Sequence, residues 1–371
     1  MKQLILLLAF LMLLACKKDN PSQDNTPPPS GPTGTSTYYF PASNTNNWET
    51  ESMQNLNWSS ADTTELFNFL SQHGTRAFII LHKGKIAVEK YWGNNILDNA
   101  PFNQNSQWYW ASAGKTITAF LVGLAQEESL LNINDKTSDY LGNNWTSLPT
   151  AKEDLITIKH QLTMTTGIDY NVSDIDCTTP SCLQYKTDAG AQWYYHNAPY
   201  TLLEAVVSNA SGISYNDFTT QRLASKIGMN GQWMAIDGKV VYLSSPRDAA
   251  RFGLLLLNKG KWENNQIMTD INYFNAMTNS SQTLNPSYGY LFWLNGKSSV
   301  ILPGLPNSFN QPISEHAPAD LFAGIGKNGQ YLNIVPSRDI VVIRMGNAPD
   351  TSPVPTVFHN DMWEKINAVI N

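Results

Sequence analysis

The stretch Trp108-Tyr109-Trp110-Ala111-Ser112-Ala113-Gly114-Lys115-Thr116-Ile117-Thr118-Ala119-Phe120-Leu121 organises the reading of this chain. Ser112 and Lys115 are three apart, and the residues after them are apolar and good helix formers. A buried helix is therefore expected to begin near Ser112. Positions i and i+3 share a helix face about one turn apart, so an amine lies beside a hydroxyl at a helix N-terminus. A serine hydroxyl is a poor nucleophile at neutral pH and needs a neighbouring base. Lysine serves as that base only when its pKa falls, and burial and the positive end of a helix dipole both push it down. The free N–H groups of the first turn suit a developing oxyanion. The alternative is a solvent-facing pair at an ordinary helix start. Against it, this is the only S-x-x-K in the chain, and it opens a strongly apolar stretch in which a purely structural lysine is costly to bury.

The surrounding chain sets the context. Its 371 residues are enough for a large core, with 42% apolar and only 15% charged residues, 11 Trp and 16 Tyr. That composition is globular and aromatic-rich. A net charge of −6 without a basic run argues against a nucleic-acid partner. At the N-terminus, Lys2 is followed by an apolar run from Leu4 to Leu14 that is too short to span a bilayer. Leu13-Leu14-Ala15-Cys16 has the form of a lipobox. The expected organisation is a signal peptide over 1–15, a disordered linker over 16–45 after a lipidated Cys16, and a folded domain over 46–371. The alternative for Cys16 is an incidental cysteine after an ordinary secretory signal. The pattern resembles bacterial lipoprotein signals and implies an exported protein held at the cell envelope by a lipid anchor. In an oxidising compartment Cys177 and Cys182 form a candidate local disulfide, the alternative being two free thiols. The pair has neither C-x-x-C spacing nor a neighbouring His cluster, so no metal site is expected, and no cofactor is implied.

Local patterns give the elements. Thr63 to Gln72 reads as an amphipathic helix, and Arg76 to Tyr91 as a hairpin turning at Gly84. Ile156 to Gly167 reads as an apolar helix ended by glycine. Tyr200 to Ser208 and Tyr215 to Ile227 are expected helices. A further helix is capped by Ser245-Pro246-Arg247-Asp248. Strands are expected at Tyr288–Leu294, Asp320–Ile325, Gln330–Val335 and Ile340–Met345, with a closing helix from Asp361 to Ile370. Strands at both ends and helices between them predict an α+β fold. One antiparallel sheet is built from both chain ends, flanked by helices, with an inserted mainly helical region over about 110–240. The absence of βαβ alternation argues against a doubly wound sheet.

Trp193-Tyr194-Tyr195-His196-Asn197-Ala198-Pro199-Tyr200 supplies a second chemical element. A phenol beside a lysine is able to carry the serine's proton to a leaving group, and the Asn197 amide suits a substrate carbonyl or the lysine amine. Two other Y-x-N triplets exist, at Tyr273 and Tyr331, but only Tyr195 lies in a loop leading into a helix within the helical insertion.

Taken in order, the hairpin, the S-x-x-K helix, the Y-x-N loop and a terminal glycine-rich strand resemble the penicillin-recognising serine hydrolases. The likeness is to the class C β-lactamase branch, and it covers roughly Trp48 to the C-terminus. Supporting stretches are Ile156–Gly167, Tyr195–Tyr200, Ser245–Gly253 and Ile334–Val342. The resemblance implies that Ser112 is acylated, Lys115 is its proton partner, Tyr195 is the general base or base partner, and Asn197 orients substrate. S-D-N is absent at the second position. The third element departs from the family's K-T-G or H-x-G. Leu321-Phe322-Ala323-Gly324-Ile325-Gly326-Lys327-Asn328-Gly329-Gln330 allows two registers, Gly324–Gly326 or Lys327–Gly329. The downstream anchor Pro336-Ser337 favours the first, which resembles a glycine-and-glutamine variant of esterase and amide-hydrolase relatives. In that register the N–H groups of Ser112 and Lys327 would line the oxyanion hole beside Gly326. The cation that grips a β-lactam carboxylate would be missing or moved.

Trp108, Tyr109, Trp110, Tyr170, Trp193 and Tyr194 are candidates for an aromatic substrate pocket, with more than half expected simply to pack. The expected activity is cleavage of an ester or small amide through a Ser112 acyl-enzyme. A β-lactamase or peptidoglycan D-peptidase is the alternative of the same fold, and a catalytically silent surface binding protein is the alternative of another class. The substrate is a small-molecule ester, amide or peptide, and the sequence leaves the oligomeric state open.

Overall fold

The computed structural model describes residues 38–236 and 238–370. The expected signal peptide, Cys16 and the expected linker as far as residue 37 lie outside the described residues. Strands β1 (Thr75–His82), β2 (Lys85–Tyr91), β3 (Trp108–Tyr109), β4 (Gln232–Ile236), β5 (Lys239–Ser244), β6 (Trp293–Leu294), β7 (Phe322–Gly326), β8 (Gln330–Val335) and β9 (Ile340–Gly346) carry the two sheets that matter here. The helices that position the site are α1 (Asp62–Gln72), α2 (Lys115–Glu127), α3 (Ile158–Leu162), α4 (Asn197–Thr201), α5 (Leu203–Ser211), α6 (Pro246–Leu257) and α7 (Thr356–Ile370).

The main sheet runs β2-β1-β9-β8-β7-β6, and every neighbouring pair is antiparallel. Both chain ends thus meet in one sheet, with β1 against β9. Strand alternation then assigns the faces. Leu332 and Val341 meet α6, where a Cβ at Gly253 would come within 2.4 Å of Val341. Tyr331, Asn333 and Arg344 point the other way, toward α7. There Tyr331 packs on Phe358, and the Asn333 side chain bonds His359. Period-2 side chains and helices on both faces account for the near-continuous burial of β1, β8 and β9.

The region between the sheet halves is mainly helical, but it contains a small sheet, β3-β5-β4. The sequence reading assigns no strand between Ile227 and Ser245 and so misses the hairpin that Asp237-Gly238 marks between Gln232 and Ser244. This hairpin matters for the site. It accepts Trp108 and Tyr109 as a third strand, and Tyr242 O takes the Trp110 N–H at 2.9 Å.

Three other expectations are corrected. Residues 38–45, read as linker, are part of the fold. Phe40 packs edge-on against Trp262, and buried Arg251 donates to the carbonyls of Pro41, Ala42 and Thr45. The helix expected over Ile156–Gly167 is only α3. Thr163 bonds back to Lys159 O, and Met164 and Gly167 take positive φ of 60° and 75°, which turns the chain away. Of the strand expected over Tyr288–Leu294, only β6 forms. Leu291 sits at φ 60°, and any Cβ at Gly289 would strike Met277 O.

Candidate active site

Ser112 lies in a short 3₁₀ turn, Ala111–Gly114, that runs directly into α2. Ala111 has φ 46°, an uncommon left-handed conformation for a residue with a Cβ. The turn is held from behind, since Trp110 Nε1 donates to Ser244 Oγ at 2.8 Å. It is held from the front by β7. A Cβ at Gly326 would lie 2.6 Å from Trp110 O and 3.0 Å from Ala113 N. The bare glycine backbone lets the end of β7 approach the nucleophile turn this closely.

Helix α2 is buried from Lys115 to Ala125. Lys115 is its first residue and is 2% exposed. Its Nζ lies 2.9 Å from Ser112 Oγ and 3.0 Å from Asn197 Oδ1. It also sits 3.8 Å from the centre of the Tyr200 ring and 4.9 Å from that of Tyr195. Burial pushes its pKa down from 10.5 to about 7, against the opposing pull of the Asp176 and Glu204 charges. The Tyr195 phenol interacts with the Ser112 hydroxyl, and burial raises its pKa well above the ordinary value. Two groups thus converge on one hydroxyl with their proton affinities pushed apart.

Asn197 opens α4. Its Nδ2 donates to Asp176 Oδ1 at 2.7 Å, and the other Asp176 oxygen pairs with Lys239. A disulfide joins Cys177 and Cys182 across that loop. Glu204, on α5, is half-buried, with Oε1 sealed from solvent and without a partner among the described residues. Burial pushes its carboxyl up to about 7, while Lys115 lowers it. Sequence reasoning passed over both carboxylates, because no local motif marks either one.

The third element takes one register. Gly324 and Gly326 lie on β7, and Lys327-Asn328-Gly329 form the turn into β8. Lys327 is exposed on that turn. The turn is pinned, since buried Arg344 donates to Asn328 O at 2.7 Å and Gly329 O at 2.9 Å. Asn328 Nδ2 also donates to Tyr109 Oη at 2.8 Å. Of the six pocket aromatics, Trp108, Trp110 and Trp193 are buried in the core, while Tyr109, Tyr170 and Tyr194 keep exposed surface. Tyr170 stacks on Tyr194 with ring centres 3.5 Å apart, and Lys186 Nζ lies 3.8 Å from the Tyr170 centre. The other Y-x-N triplets are structural. Tyr273 donates to Ala119 O, and Asn333 bonds His359. Among the described residues, no group of three or more His, Cys, Asp or Glu side chains is placed to hold a metal ion.

The family model described as beta-lactamase matches residues 70–360. The chain belongs to the beta-lactamase family. Solved structures of similar fold include a candidate 6-aminohexanoate-dimer hydrolase from Bacillus anthracis, with TM-score 0.66, 17% identity and 89% of each chain covered. They also include a penicillin-binding protein homologue from Caulobacter crescentus, with TM-score 0.63, 13% identity, and 84% of this chain and 98% of that one covered. Among curated proteins, an uncharacterized protein of Alkalihalophilus pseudofirmus is 26% identical over 306 residues, 74% of this chain and 84% of its own. Penicillin-binding protein 4* of Bacillus subtilis is 29% identical over 151 residues, which is 36% of this chain and 32% of that protein. The chain carries the α+β fold of this family, which is the serine-hydrolase family of β-lactamases and penicillin-binding proteins.

Proposed function

We propose that this protein is an exported, lipid-anchored serine hydrolase that cleaves an ester or small amide through an acyl-enzyme on Ser112. The observation that carries the reading is the buried Lys115 amine, 2.9 Å from Ser112 Oγ and with its pKa lowered to about 7. Near neutrality a large fraction of that amine is unprotonated and able to accept the serine proton as Oγ attacks the carbonyl carbon. Tyr195 keeps its own proton because burial holds its pKa high. It therefore serves as the neutral partner that relays a proton to the leaving group, and Lys115 is the base. The N–H groups of Ser112 and Lys327 receive the oxyanion. Water then attacks the acyl carbon and Lys115 takes up its proton. That proton passes to Oγ as the acyl–Oγ bond breaks, which frees the acid and restores the neutral amine. Tyr170 on its stack with Tyr194 forms part of the aromatic wall, and Lys186 over the Tyr170 ring limits that wall on one side.

The preference for esters and small amides rests on β7, where glycines stand in place of a strand lysine and Lys327 falls in the exposed turn. The family match and the relatives named as penicillin-binding proteins support the second reading, a β-lactamase or peptidoglycan D-peptidase. The deciding experiment exposes the protein to a fluorophosphonate, to a p-nitrophenyl ester and to a fluorescent penicillin, with the adduct located by peptide mass spectrometry. An adduct on Ser112 from the first two, with little from penicillin at low concentration, is expected. Efficient penicillin labelling would transfer the assignment to the second reading, and no Ser112 adduct from any probe would overturn both. Export and the anchor are tested separately, by the mass of the mature N-terminus at Cys16.

Turnover of a neutral ester is also expected to rise with pH through about 7. Lys115 is protonated and inactive as a base below that value and free above it. A kcat/KM profile that is flat there, or that rises only near an ordinary lysine pKa, contradicts this assignment.

A further inference from the structure

An asparagine amide has two ends that differ in chemistry: the oxygen accepts and the nitrogen donates. At Asn197 the choice of end decides the state of the base. Lys115 needs its lone pair turned toward Ser112 Oγ to accept a proton. A neutral amine has two N–H bonds and one lone pair, so fixing the N–H bonds fixes the lone pair. Asn197 Oδ1, 3.0 Å from Nζ, takes one N–H, and the Tyr200 face, 3.8 Å from Nζ, suits the other. An Asn197 turned over would present an NH₂ group to the amine and capture the lone pair instead.

We propose that Asp176 is a positioning residue for acylation, setting the Asn197 amide so that its oxygen faces Lys115. An ionised carboxylate only accepts, so the Nδ2 bond to Asp176 Oδ1 at 2.7 Å admits one orientation of the amide. Asp176 is held in turn from several sides. Its backbone N–H donates to Asp174 Oδ1 at 3.0 Å, and its second oxygen pairs with Lys239 at the start of β5. The preceding residue ties the loop to α4, since Ile175 O accepts the Ala198 N–H at 2.9 Å. The next residue, Cys177, is fixed by the disulfide to Cys182. A loop with little regular structure is thereby docked beside Asn197 through both backbone and side chain. The Lys115 amine faces two acidic groups, Asp176 from this loop and Glu204 from α5, and two phenol rings, Tyr195 and Tyr200. Around Asp176 stand Lys239, His196 and, on its own loop, Asp174. The Asp176 charge raises the Lys115 pKa, against the larger effect of burial. Its removal therefore lowers that pKa further.

This inference rests on the Ser112 acyl-enzyme reading. Its test is a mutant cycle on the full protein, read as the rate of Ser112 labelling by a fluorophosphonate across the pH range around neutrality. Asp176→Ala is expected to lower the plateau rate about 10- to 100-fold and to move the acidic limb to lower pH. In an Asn197→Ala background the same change is expected to cost less than about twofold, because the group it acts through is gone. Asp176→Asn removes the charge and replaces an acceptor-only group with an amide that presents either end to Asn197, and Lys239 draws the amide oxygen to itself. It is expected to lower the plateau about 10-fold or more, because the amide orientation is no longer selected, while its limb moves as in Asp176→Ala. Additive losses in the cycle, an unmoved limb, or an Asp176→Asn plateau within about twofold of the native protein overturns the proposal. If Asp176→Ala does not fold, the limb and plateau of Asp176→Asn decide. Failure here with Ser112 still labelled in the native protein removes only the role of Asp176. Failure of the native protein to label removes the acyl-enzyme reading itself.

Discussion

Lys115→Met is expected to abolish acylation and to make the protein more stable. The activity loss follows from the geometry. No other amine lies against Ser112 Oγ among the described residues, and the Tyr195 phenol holds its proton too tightly to replace it. Removing a positioned general base costs about 10²–10⁴-fold, and this site combines that loss with the loss of the group bridging Ser112 and Asn197. The stability gain follows from the same burial. The Lys115 pKa is 10.5 in the unfolded chain and about 7 in the fold. Between those values the unfolded state binds the extra proton, so stability rises with pH across that window. Below about pH 7 the full penalty is present. At about 1.4 kcal/mol per pH unit it is on the order of 5 kcal/mol. Methionine occupies similar volume without a charge. It forfeits two hydrogen bonds, to Ser112 and Asn197, so a net gain of about 1–4 kcal/mol is expected. The gain should be largest in mildly acidic buffer and fade as pH approaches 10. Thermal melts at two pH values and fluorophosphonate labelling check both halves. An unchanged or lower melting temperature in acid means that burial does not strain this lysine.

What was legible in the sequence is what local chemistry encodes. Ser112 and Lys115 share a turn, and Tyr195 and Asn197 flank one residue, so each pair announces itself without tertiary information. The sheet built from both ends was legible because β1, β8 and β9 are short, mainly apolar and β-branched runs bounded by turns. The remainder depends on partners far away in sequence. Asp176 is 21 residues from the amide it bonds. Glu204 sits on an ordinary apolar helix, and only packing of α5 on α2 brings its charge near Lys115. The hairpin of β4 and β5 does carry a local signal, Asp237-Gly238 between two apolar runs, which the sequence reading passes over, although β4 itself is exposed along much of its length. Its third strand is the distant chain that crosses it at Trp108. Residues 38–45 are too short a stretch to show a helical or strand period, although Phe40 in them is a core residue. They are fixed through their carbonyls by Arg251, more than 200 residues away, and composition holds no trace of that contact. The register of the glycine strand lay between these extremes. Both registers satisfy the local pattern, and the pairing of Gly326 with Gln330 selects one.

Gly326→Ala is the second substitution with a large expected effect, because two fixed backbones meet at that glycine. On one side, the nucleophile turn is tied to β5 through the Trp110 N–H and Trp110 Nε1. On the other, β7 is paired along its length with β8, and its terminal turn is gripped by Arg344. A methyl group at 326 would lie 2.6 Å from Trp110 O and 3.0 Å from Ala113 N, both backbone atoms within two residues of Ser112. Neither side is a flexible side chain that swings away. Relief comes from moving the end of β7 outward, which carries the Lys327 N–H off the position an oxyanion would occupy. Loss of one such donor costs about 10²–10³-fold in rate, and the overpacking costs about 1–3 kcal/mol of stability. Gly324→Ala is the matched comparison. Its Cβ would meet Ala113 O at 3.0 Å and the Thr116 methyl at 3.1 Å, a milder crowding one step further from the turn. The acylation rate is expected to fall far more for Gly326→Ala than for Gly324→Ala, with the lower melting temperature also in Gly326→Ala. Equal rate losses would place the effect in general packing. An acylation rate for Gly326→Ala within about threefold of the native protein, far above the oxyanion-donor loss, would remove the N–H of Lys327 from the oxyanion hole.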